Sequence, residues 1–344
     1  MATTGSSFTA LPEDVLQRVL LGVSRDDHVA TAAACRAFRA VIRGPRFLRL
    51  RREYGFAERG VILVGRDDDE APLEIYVAGN PGAIPEVAVI PEGLNVSNPR
   101  GSTTDGGGRL FVSVRQSPTA ASPSQILVLN ASSRRWRRFA ILPDQSLHCM
   151  EWHGGLLYVA GGEVSSPVNT LYAFNEVTGL WDDLPPMPHA STMAASGVIG
   201  NELFVAGGYG VDNLALSTLQ IYDISARTWR LGAPLPHALY GGPGIVLDGK
   251  LYLVPRPGTM RSMFVYDVQS NTWSNQPKPA CRGAVVDVKY AFAHKGRIVA
   301  VNSTGSALQL GTGSDWSRFD LDVGPAILHT GYEGSAVAGS VLLG

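Results

Sequence analysis

Histidine is the side chain best suited to metal ligation and to proton transfer near neutral pH, and this chain has seven of them. His148 and His153 flank Trp152, but no further ligand follows at a spacing typical of zinc sites, so we expect no metal there. His189 and His237 occupy the same place in two similar phrases, PMPHA and PLPHA. This equivalence indicates a shared structural or surface role and not a catalytic pair.

The motifs that commonly mark catalytic or phosphate-binding sites, such as GxSxG, HExxH and the P-loop, do not occur in the sequence. The three cysteines, Cys35, Cys149 and Cys281, are too widely spaced for a metal clip or a disulfide framework, and they favour a reducing compartment. We therefore predict no catalytic residue, no metal and no cofactor.

A run of arginines is the strongest concentration of charge in the sequence. Arg36, Arg39, Arg43 and Arg46 follow one another at helical spacings, continued by Arg49, Arg51 and Arg52. The spacing predicts one basic helical face. The net charge of the chain is -1, and no aromatic-rich nucleic-acid motif accompanies the run. We favour a solvated face and expect neither nucleic-acid binding nor membrane binding.

The sequence also gives an expectation for the location of the protein in the cell. No apolar run approaches the roughly 20 residues that span a bilayer. The first residues lack the basic segment followed by an apolar segment of a secretory signal. We expect a protein of the cytoplasm, the nucleus or both.

Tryptophans recur along the chain at nearly constant intervals. Five of them are separated by 45, 48, 44 and 43 residues. They are Trp136, Trp181, Trp229, Trp273 and Trp316. Each follows an apolar run and a turn rich in Asn, Asp or Gly, as in IYDISARTW. A fixed period of this length is the signature of a repeat architecture.

A second marker repeats in phase with the tryptophans. Phrases such as GGLLYVAGG and NELFVAGG place a large apolar residue at intervals of 46 to 48 residues. These residues are Phe111, Tyr158, Phe204, Tyr252 and Val299. Each unit contains four short apolar runs separated by turn signals, which predicts a four-stranded β-propeller blade. Because residues 61–344 number 284, a unit of about 47 residues predicts six blades.

The sequence leaves open how the ring of propeller blades closes. The first unit lacks a Trp, and the C-terminal GSAVAGSVLLG resembles the first two strands of a blade. We predict that this C-terminal segment completes the first blade. Both GVILVG and SVLLG resemble a second strand, so their pairing stays open.

Residues 103–281 resemble kelch repeats. The phrases YVAGG and FVAGG supply the double glycine of that family, followed by a Tyr, the Trp and a proline-rich turn. The pattern is clear around Gly161–Gly162 and Gly207–Gly208. It weakens where Val254–Pro255 and Val301–Asn302 replace the glycines.

Residues 11–56 resemble an F-box, after a segment of residues 1–10 that we expect to be flexible. The resemblance is carried by LPEDVL, by CRAF and by a later Phe47. Pro12, Glu13 and Asp14 suit a helix N-terminus. Leu16, Val19, Leu20 and Val23 recur at helical spacing and predict an apolar stripe. A module this small buries its apolar surface poorly and is expected to have a partner. F-box proteins of plants often carry kelch repeats after the F-box.

The two resemblances together imply the substrate-recognition subunit of a Skp1–cullin–F-box ubiquitin ligase, which is not itself an enzyme. The F-box would bind a Skp1-like adaptor, and through it a cullin, by Leu11, Pro12, Leu16, Val19, Leu20, Cys35, Phe38 and Phe47. The propeller would bind a target protein at the mouth formed by the loops that precede the innermost strands. There the resemblance implies contacts from His189, Ser191, Thr192, His237, Tyr240 and Arg282. Since Arg282 is the only arginine among them, we expect a polar or aromatic-recognising surface.

Two alternatives remain open at this stage. One is a kelch scaffold without a ligase role, which would be favoured if Leu16 and Leu20 packed inward on the propeller. The other is a propeller enzyme, which would need a polar cluster or a metal in the central channel.

Overall fold

The computed structural model describes residues 12–51, 58–319 and 337–343, apart from short gaps. The gaps are residues 22, 24–27, 43–45, 48–49, 66–73, 79–85, 88–96, 116–123, 131–134, 144–146, 164, 255–261, 278–279, 282–283, 286–287, 303–306 and 311–314. The predicted flexible segment, Leu11 and Arg282 lie outside the described residues. The described part of the chain has no helix long and apolar enough to cross a membrane.

Three short helices open the chain: α1 (Glu13–Leu21), α2 (His28–Ala34) and α3 (Arg36–Ile42). The first turn of α1 carries Glu13 and Asp14, where carboxylates favour the helix dipole. Pro12, which has no N–H to lose, accepts a hydrogen bond at its carbonyl from the Leu16 N–H at 3.0 Å. The predicted helix start is therefore confirmed.

The helices form a small apolar core of their own. Its buried members are Leu16, Leu20, Leu21, Ala32, Val41, Ile42 and Phe47. On α1 the buried face also includes Gln17, whereas Val19 is half exposed at 51%. The predicted apolar stripe is thus wrong at Val19, because positions 16, 17, 20 and 21 face inward on a helix of 3.6 residues per turn.

The rest of the described chain is β-structure. The strands are β1 (Glu58–Gly65), β2 (Glu74–Ala78), β3 (Glu86–Val87), β4 (Ser97–Thr104), β5 (Arg109–Arg115), β6 (Ser124–Asn130), β7 (Arg135–Ile141), β8 (Cys149–His153), β9 (Leu156–Ala160), β10 (Leu171–Asn175), β11 (Leu180–Leu184), β12 (Ala195–Ile199), β13 (Glu202–Ala206), β14 (Leu219–Asp223), β15 (Thr228–Leu231), β16 (Gly244–Leu247), β17 (Lys250–Leu253), β18 (Ser262–Asp267), β19 (Thr272–Pro277), β20 (Ala280–Cys281), β21 (Ala284–Val285), β22 (Val288–His294), β23 (Arg297–Asn302), β24 (Ala307–Leu310), β25 (Trp316–Phe319) and β26 (Val337–Leu343).

Five antiparallel four-stranded sheets follow one another along the chain. They are β4 to β7, β8 to β11, β12 to β15, β16 to β19 and β22 to β25, each with its strands in sequence order. Strands β20 and β21 form a separate two-stranded ribbon. The meander in every sheet confirms the four-strand unit, since short loops join antiparallel neighbours. The fold is therefore a β-propeller preceded by helices.

The apolar cores lie between successive sheets. One cluster joins Phe111 and Ile126 of one sheet to Leu157 and Phe174 of the next. Three further clusters join the following pairs of sheets in the same way. A blade cannot cover both of its faces alone, so each sheet depends on its neighbours for burial.

Three of the repeated tryptophans connect neighbouring blades through their indole N–H groups. Trp181 donates to the carbonyl of Ile141 at 2.9 Å, and Trp229 donates to the carbonyl of Pro185 at 2.7 Å. Trp273 donates in turn to the carbonyl of Ala233 at 2.8 Å. The acceptor lies at the end of the outer strand of the preceding blade each time. The tryptophan period therefore reflects a contact between blades.

The two ends of the β-region pair with each other. Strand β26 runs antiparallel to β1, with Val61 opposite Ser340, in a sheet of order β26-β1-β2-β3. GVILVG thus takes the second position of this sheet and SVLLG the first, which resolves the question that the sequence left open. Strand β26 also contacts β22 and β4, the first strands of the sheets before and after it.

Candidate functional site

The exposed face of α1 is the first candidate surface. Val15 and Val19 are 36% and 51% exposed, and Arg18 lies exposed between them. These positions are on the side of the helix that faces away from its buried residues, which are Leu16, Gln17, Leu20 and Leu21. Two exposed valines on an ordered helix leave apolar surface in water, which a protein partner could cover.

The predicted adaptor-binding residues divide into core and surface. Leu16, Leu20 and Phe47 belong to the core of the helices and are at most 4% exposed. Their contribution to a partner would be to hold the helices in their fold. Pro12 and Val19 are exposed, while Cys35 and Phe38 are half-buried. That any of these residues contacts an adaptor stays a prediction.

The arginine run does not form one face. Helix α3 ends at Ile42, so Arg46 lies beyond it. Arg51 is 2% exposed and donates from Nη1 to the carbonyls of Leu21 (2.8 Å) and Val23 (2.5 Å). It satisfies carbonyls that the end of α1 leaves without a helical partner. The prediction of a single basic face is therefore wrong at Arg51, and Arg43, Arg49 and Arg52 lie outside the described residues. Of the residues described on α3, Arg36 and Arg39 are exposed arginines.

The second candidate surface is the end of the propeller at which the innermost strands begin. We call the loops 188–194, 207–218 and 236–243 the mouth loops. The second glycine of each double-glycine pair donates its N–H to these loops, Gly162 to Ser191 at 2.8 Å and Gly208 to Leu239 at 2.7 Å. The glycine pairs of the kelch pattern therefore hold the mouth loops of one blade against the next.

Two of the predicted target-binding residues support these loops from within. Ser191 is 2% exposed and donates from Oγ to the carbonyl of Gly207 at 2.7 Å. Thr192 is 4% exposed and exchanges two backbone hydrogen bonds with Tyr209. Burial gives both side chains a positioning role. The prediction that the mouth contacts a target protein therefore depends on the other predicted target-binding residues.

His189, His237 and Tyr240 do reach the surface. His189 and His237 are exposed, and the backbone of His189 is held by two hydrogen bonds to the Gln220 side chain. Tyr240 is half-buried, and its ring centroid lies 4.1 Å from that of Tyr209. An ordered tyrosine pair at a surface is typical of protein-recognition sites.

One hairpin of the mouth was missed from the sequence. Tyr209 and Ala215 face each other across it, and Val211 and Leu214 at its turn are 70% and 63% exposed. In the preceding blade the equivalent hairpin closes with Glu163 opposite Pro167 and is two residues shorter. The shorter hairpin of the preceding blade shows that a blade forms without the longer apolar turn. The signal was present in the unequal length of two aligned repeat units.

Another residue missed from the sequence is Glu151 of β8. Its carboxylate accepts hydrogen bonds from Ser196 Oγ of β12 at 2.7 Å and from Thr103 Oγ1 of β4 at 3.4 Å. It thereby links the innermost strands of three consecutive blades. Burial raises its pKa to about 7, and the hydrogen bonds from Ser196 and Thr103 only partly oppose this effect.

His148 and His153 do not form a metal pair. They lie at opposite ends of β8, and a strand rise of about 3.3 Å per residue separates them by roughly 16 Å. His148 is buried, neither ring nitrogen has a hydrogen-bond partner, and burial lowers its pKa to about 4. Within the described residues no three His, Cys, Asp or Glu side chains come together as metal ligands.

Comparison with known protein families agrees with both parts of the chain. The F-box domain matches residues 8–50, which include all three helices. The Kelch motif matches residues 146–188 and 190–236, which correspond to the sheets β8 to β11 and β12 to β15. The chain therefore carries an F-box and kelch repeats.

Curated relatives combine these parts in different ways. An F-box/kelch-repeat protein of Arabidopsis thaliana, SKIP20, is 25% identical over 293 residues, covering 78% of this chain and 66% of its own. Kelch-like protein 34 of Homo sapiens is 25% identical over 174 residues, or 44% of this chain. The matched part spans only 27% of that human protein. Among solved structures, YjhT superposes with a TM-score of 0.55 over 67% of this chain and 85% of its own, at 15% identity, which shows the fold alone.

Proposed function

We propose that this chain, in which an F-box precedes kelch repeats, is the substrate-recognition subunit of a Skp1–cullin–F-box ubiquitin ligase. The observation that carries the proposal is the match of both family models, in this order, together with a relative of the same layout over 78% of the chain. Among the described residues, Leu16 and Leu20 pack in the core of the helices, and the exposed face of α1 carries Val15 and Val19.

The adaptor would cover the exposed face of α1. Val15 and Val19 are 36% and 51% exposed, so covering both removes about as much apolar surface from water as burying one fully exposed valine. That burial contributes about 1.5 kcal/mol or more, a useful share of micromolar binding. Pro12 and Phe38, which also have accessible surface, would extend this contact. Leu16, Leu20 and Phe47 would keep the helices in the geometry that presents it.

The target protein would bind at the mouth loops. His189, His237 and Tyr240 would contact it, joined by the apolar hairpin turn that carries Val211 and Leu214. The chain would perform no chemistry of its own. Holding a target beside a ubiquitin-loaded enzyme raises the effective concentration of the target's lysines, which is enough to direct modification.

The proposed propeller has six blades. Five sheets follow one another along the chain, and the sheet that joins β26 to β1 would be the sixth. The contacts of β26 with both β22 and β4 support a ring that closes through this sheet. Such closure pairs the two ends of the β-region and leaves only the short outer edge of each blade, and a blade count from electron microscopy or crystallography would test it. We place the protein in the cytoplasm, the nucleus or both, consistent with Cys35 and Cys149 being free thiols.

Binding to a recombinant Skp1-type adaptor of Arabidopsis thaliana tests the proposal. The intact chain is expected to bind with micromolar affinity or better. A Val15→Asp, Val19→Asp variant should lose at least tenfold in affinity, because it places charges in an apolar contact. Leu16 and Leu20 are unsuitable for this test, since substituting core residues would unfold the helices.

A matched control is available on the propeller. Val177 is 94% exposed on a turn, and Val177→Asp should bind the adaptor like the unmodified chain. Circular dichroism and thermal melting establish that each variant is folded. If the intact, folded chain does not bind the adaptor, the ligase role is wrong and the kelch scaffold becomes the better explanation.

A further inference from the structure

The charge of the chain is distributed unevenly between its two parts. Residues 1–56 contain nine arginines, no lysine and five acidic residues, a net charge of +4. Residues 57–344 contain 20 basic and 25 acidic residues, a net charge of -5. The overall charge of -1 hides this separation. A small helical module with such an excess attracts acidic surfaces within a Debye length of about 8 Å.

Helix α3 presents part of this excess as an ordered basic face. Arg36, Arg39 and Ala40 are exposed at positions i, i+3 and i+4, which place them on one side of the helix. Val41 and Ile42 of the same helix are buried in the core. The burial of Val41 and Ile42 therefore fixes which side of α3 faces the solvent.

The guanidinium groups on this face have no acidic partner among the described residues. The ion pairs described all belong to the propeller, for example Arg109 with Glu176 at 2.6 Å. Arg39 uses Nε to donate to the carbonyl of Ala32 at 3.2 Å, which orients its head group and leaves the terminal nitrogens available. Arg36 makes no hydrogen bond or ion pair within the described residues.

The net charge of -1 and the lack of a nucleic-acid reader motif beside the arginines favour a protein partner over nucleic acid. Arginine presents a planar fork that binds a carboxylate through two parallel hydrogen bonds, and it is enriched at protein interfaces where lysine is depleted. All the basic residues of residues 1–56 are arginines. Helix α3 also packs against α1, the helix that carries the exposed Val15 and Val19. The basic face and the apolar surface proposed for the adaptor therefore belong to the same small helical module.

We propose that the α3 face, Arg36 with Arg39, docks an acidic patch on the adaptor and steers its association. This inference rests on the proposed ligase function and adds the chemistry of the partner. Charges at the rim of an interface act mainly on the association rate and on its salt dependence. The apolar α1 face would then set how long the complex lasts.

The test is the association kinetics of the intact chain with the same recombinant adaptor, measured between about 50 and 500 mM NaCl, roughly threefold below to threefold above physiological ionic strength. The unmodified chain should associate about tenfold faster at the low-salt end. An Arg36→Glu, Arg39→Glu variant should associate at least tenfold more slowly at low salt and lose most of the salt dependence. Arg36→Lys, Arg39→Lys should retain the salt dependence, because it keeps the charge. Arg135→Glu, Arg138→Glu on the exposed side of β7 makes the same change in net charge and should leave the rate within about twofold.

The outcomes separate this inference from the proposed function. Adaptor binding that is indifferent to salt and to the α3 reversal overturns the basic docking face and leaves the ligase role standing. Equal slowing by the β7 control also overturns it, since net charge alone would then explain the effect. Absence of adaptor binding at every salt concentration overturns both. Binding of a 20-base-pair duplex that the α3 reversal abolishes, with adaptor kinetics unchanged, would assign the face to nucleic acid instead.

Discussion

Glu151 should make the stability of the propeller depend on pH near neutrality. Its carboxyl group joins β8 to β4 and β12 through Thr103 and Ser196, and among the described residues no cation pairs with it. Burial raises its pKa from an ordinary 4.5 to about 7. The folded protein therefore holds a proton that the unfolded chain releases between these two pH values.

The sign and size of the effect follow from this difference. Because the folded pKa is the higher one, the stabilisation by the neutral carboxyl is complete below about pH 4.5 and is lost as the pH rises through 7. At about 1.4 kcal/mol per pH unit the full loss is about 3 kcal/mol. The side chain keeps some accessible surface, so this value is an upper one.

A Glu151→Gln variant isolates the contribution of the charge. Glutamine has nearly the same volume, and its amide oxygen can still accept the Ser196 hydrogen bond without ionising. Relative to the unmodified protein, the variant should gain up to about 2.5 kcal/mol of unfolding free energy between pH 5 and 8.5. For a chain of this size the gain corresponds to a relative rise of up to about 4 °C in the thermal midpoint.

The assay is thermal or urea unfolding of both proteins at half-unit pH steps, with Glu163→Gln as the control. Glu163 lies in the loop after β9, away from the innermost strands. A difference between variant and unmodified protein that stays constant with pH would refute the buried neutral carboxyl. A variant that becomes relatively less stable at high pH would show that the folded protein prefers the carboxylate and supplies it with a cation.

Two further predictions concern the contacts that the repeat encodes. Gly207→Ala should lower the unfolding free energy by about 3 kcal/mol or more, because Gly207 has φ +66° and a methyl group there would collide with the carbonyl of Leu239. The control is Gly179→Ala, where φ is +70° and the space around the residue is open. It should lower the unfolding free energy by only about 1 kcal/mol in the same urea titration. Equal losses would mean that the glycine pair serves only its backbone conformation. Trp273→Phe should lower the unfolding free energy by about 1–3 kcal/mol through loss of the hydrogen bond to Ala233, with some loss of packing, and a neutral result would refute the role of the indole N–H in joining blades.

Features that repeat along the chain were predictable from the sequence. The tryptophans, the large apolar residues of the second strands and the double glycines recur because every blade makes the same contacts with the next. The strands β12 to β15 lie where the apolar runs and turns predicted them. The start of α1 was likewise predictable, since proline and acidic residues act there through local backbone chemistry.

The candidate sites were predicted less well, because burial is decided by residues distant in sequence. Leu16 and Val19 have similar side chains, yet one is in the core and the other faces solvent. Ser191 and Thr192 looked like surface residues of a loop, but hydrogen bonds to Gly207 and Tyr209 turn them inward. The partners of these two residues lie 16 and 17 positions further along the chain, after the next two strands.

The sequence by itself determined the repeat, the four-strand blade and the helices at the N-terminus, because these depend on period, turn chemistry and helix capping within a few residues. The tertiary structure alone decided that Arg51 completes the end of α1, that β26 pairs with β1 and that Glu151 joins three blades. Each of these depends on groups tens to hundreds of residues apart. Their energies come from burial and hydrogen bonding that exist only once the chain has folded.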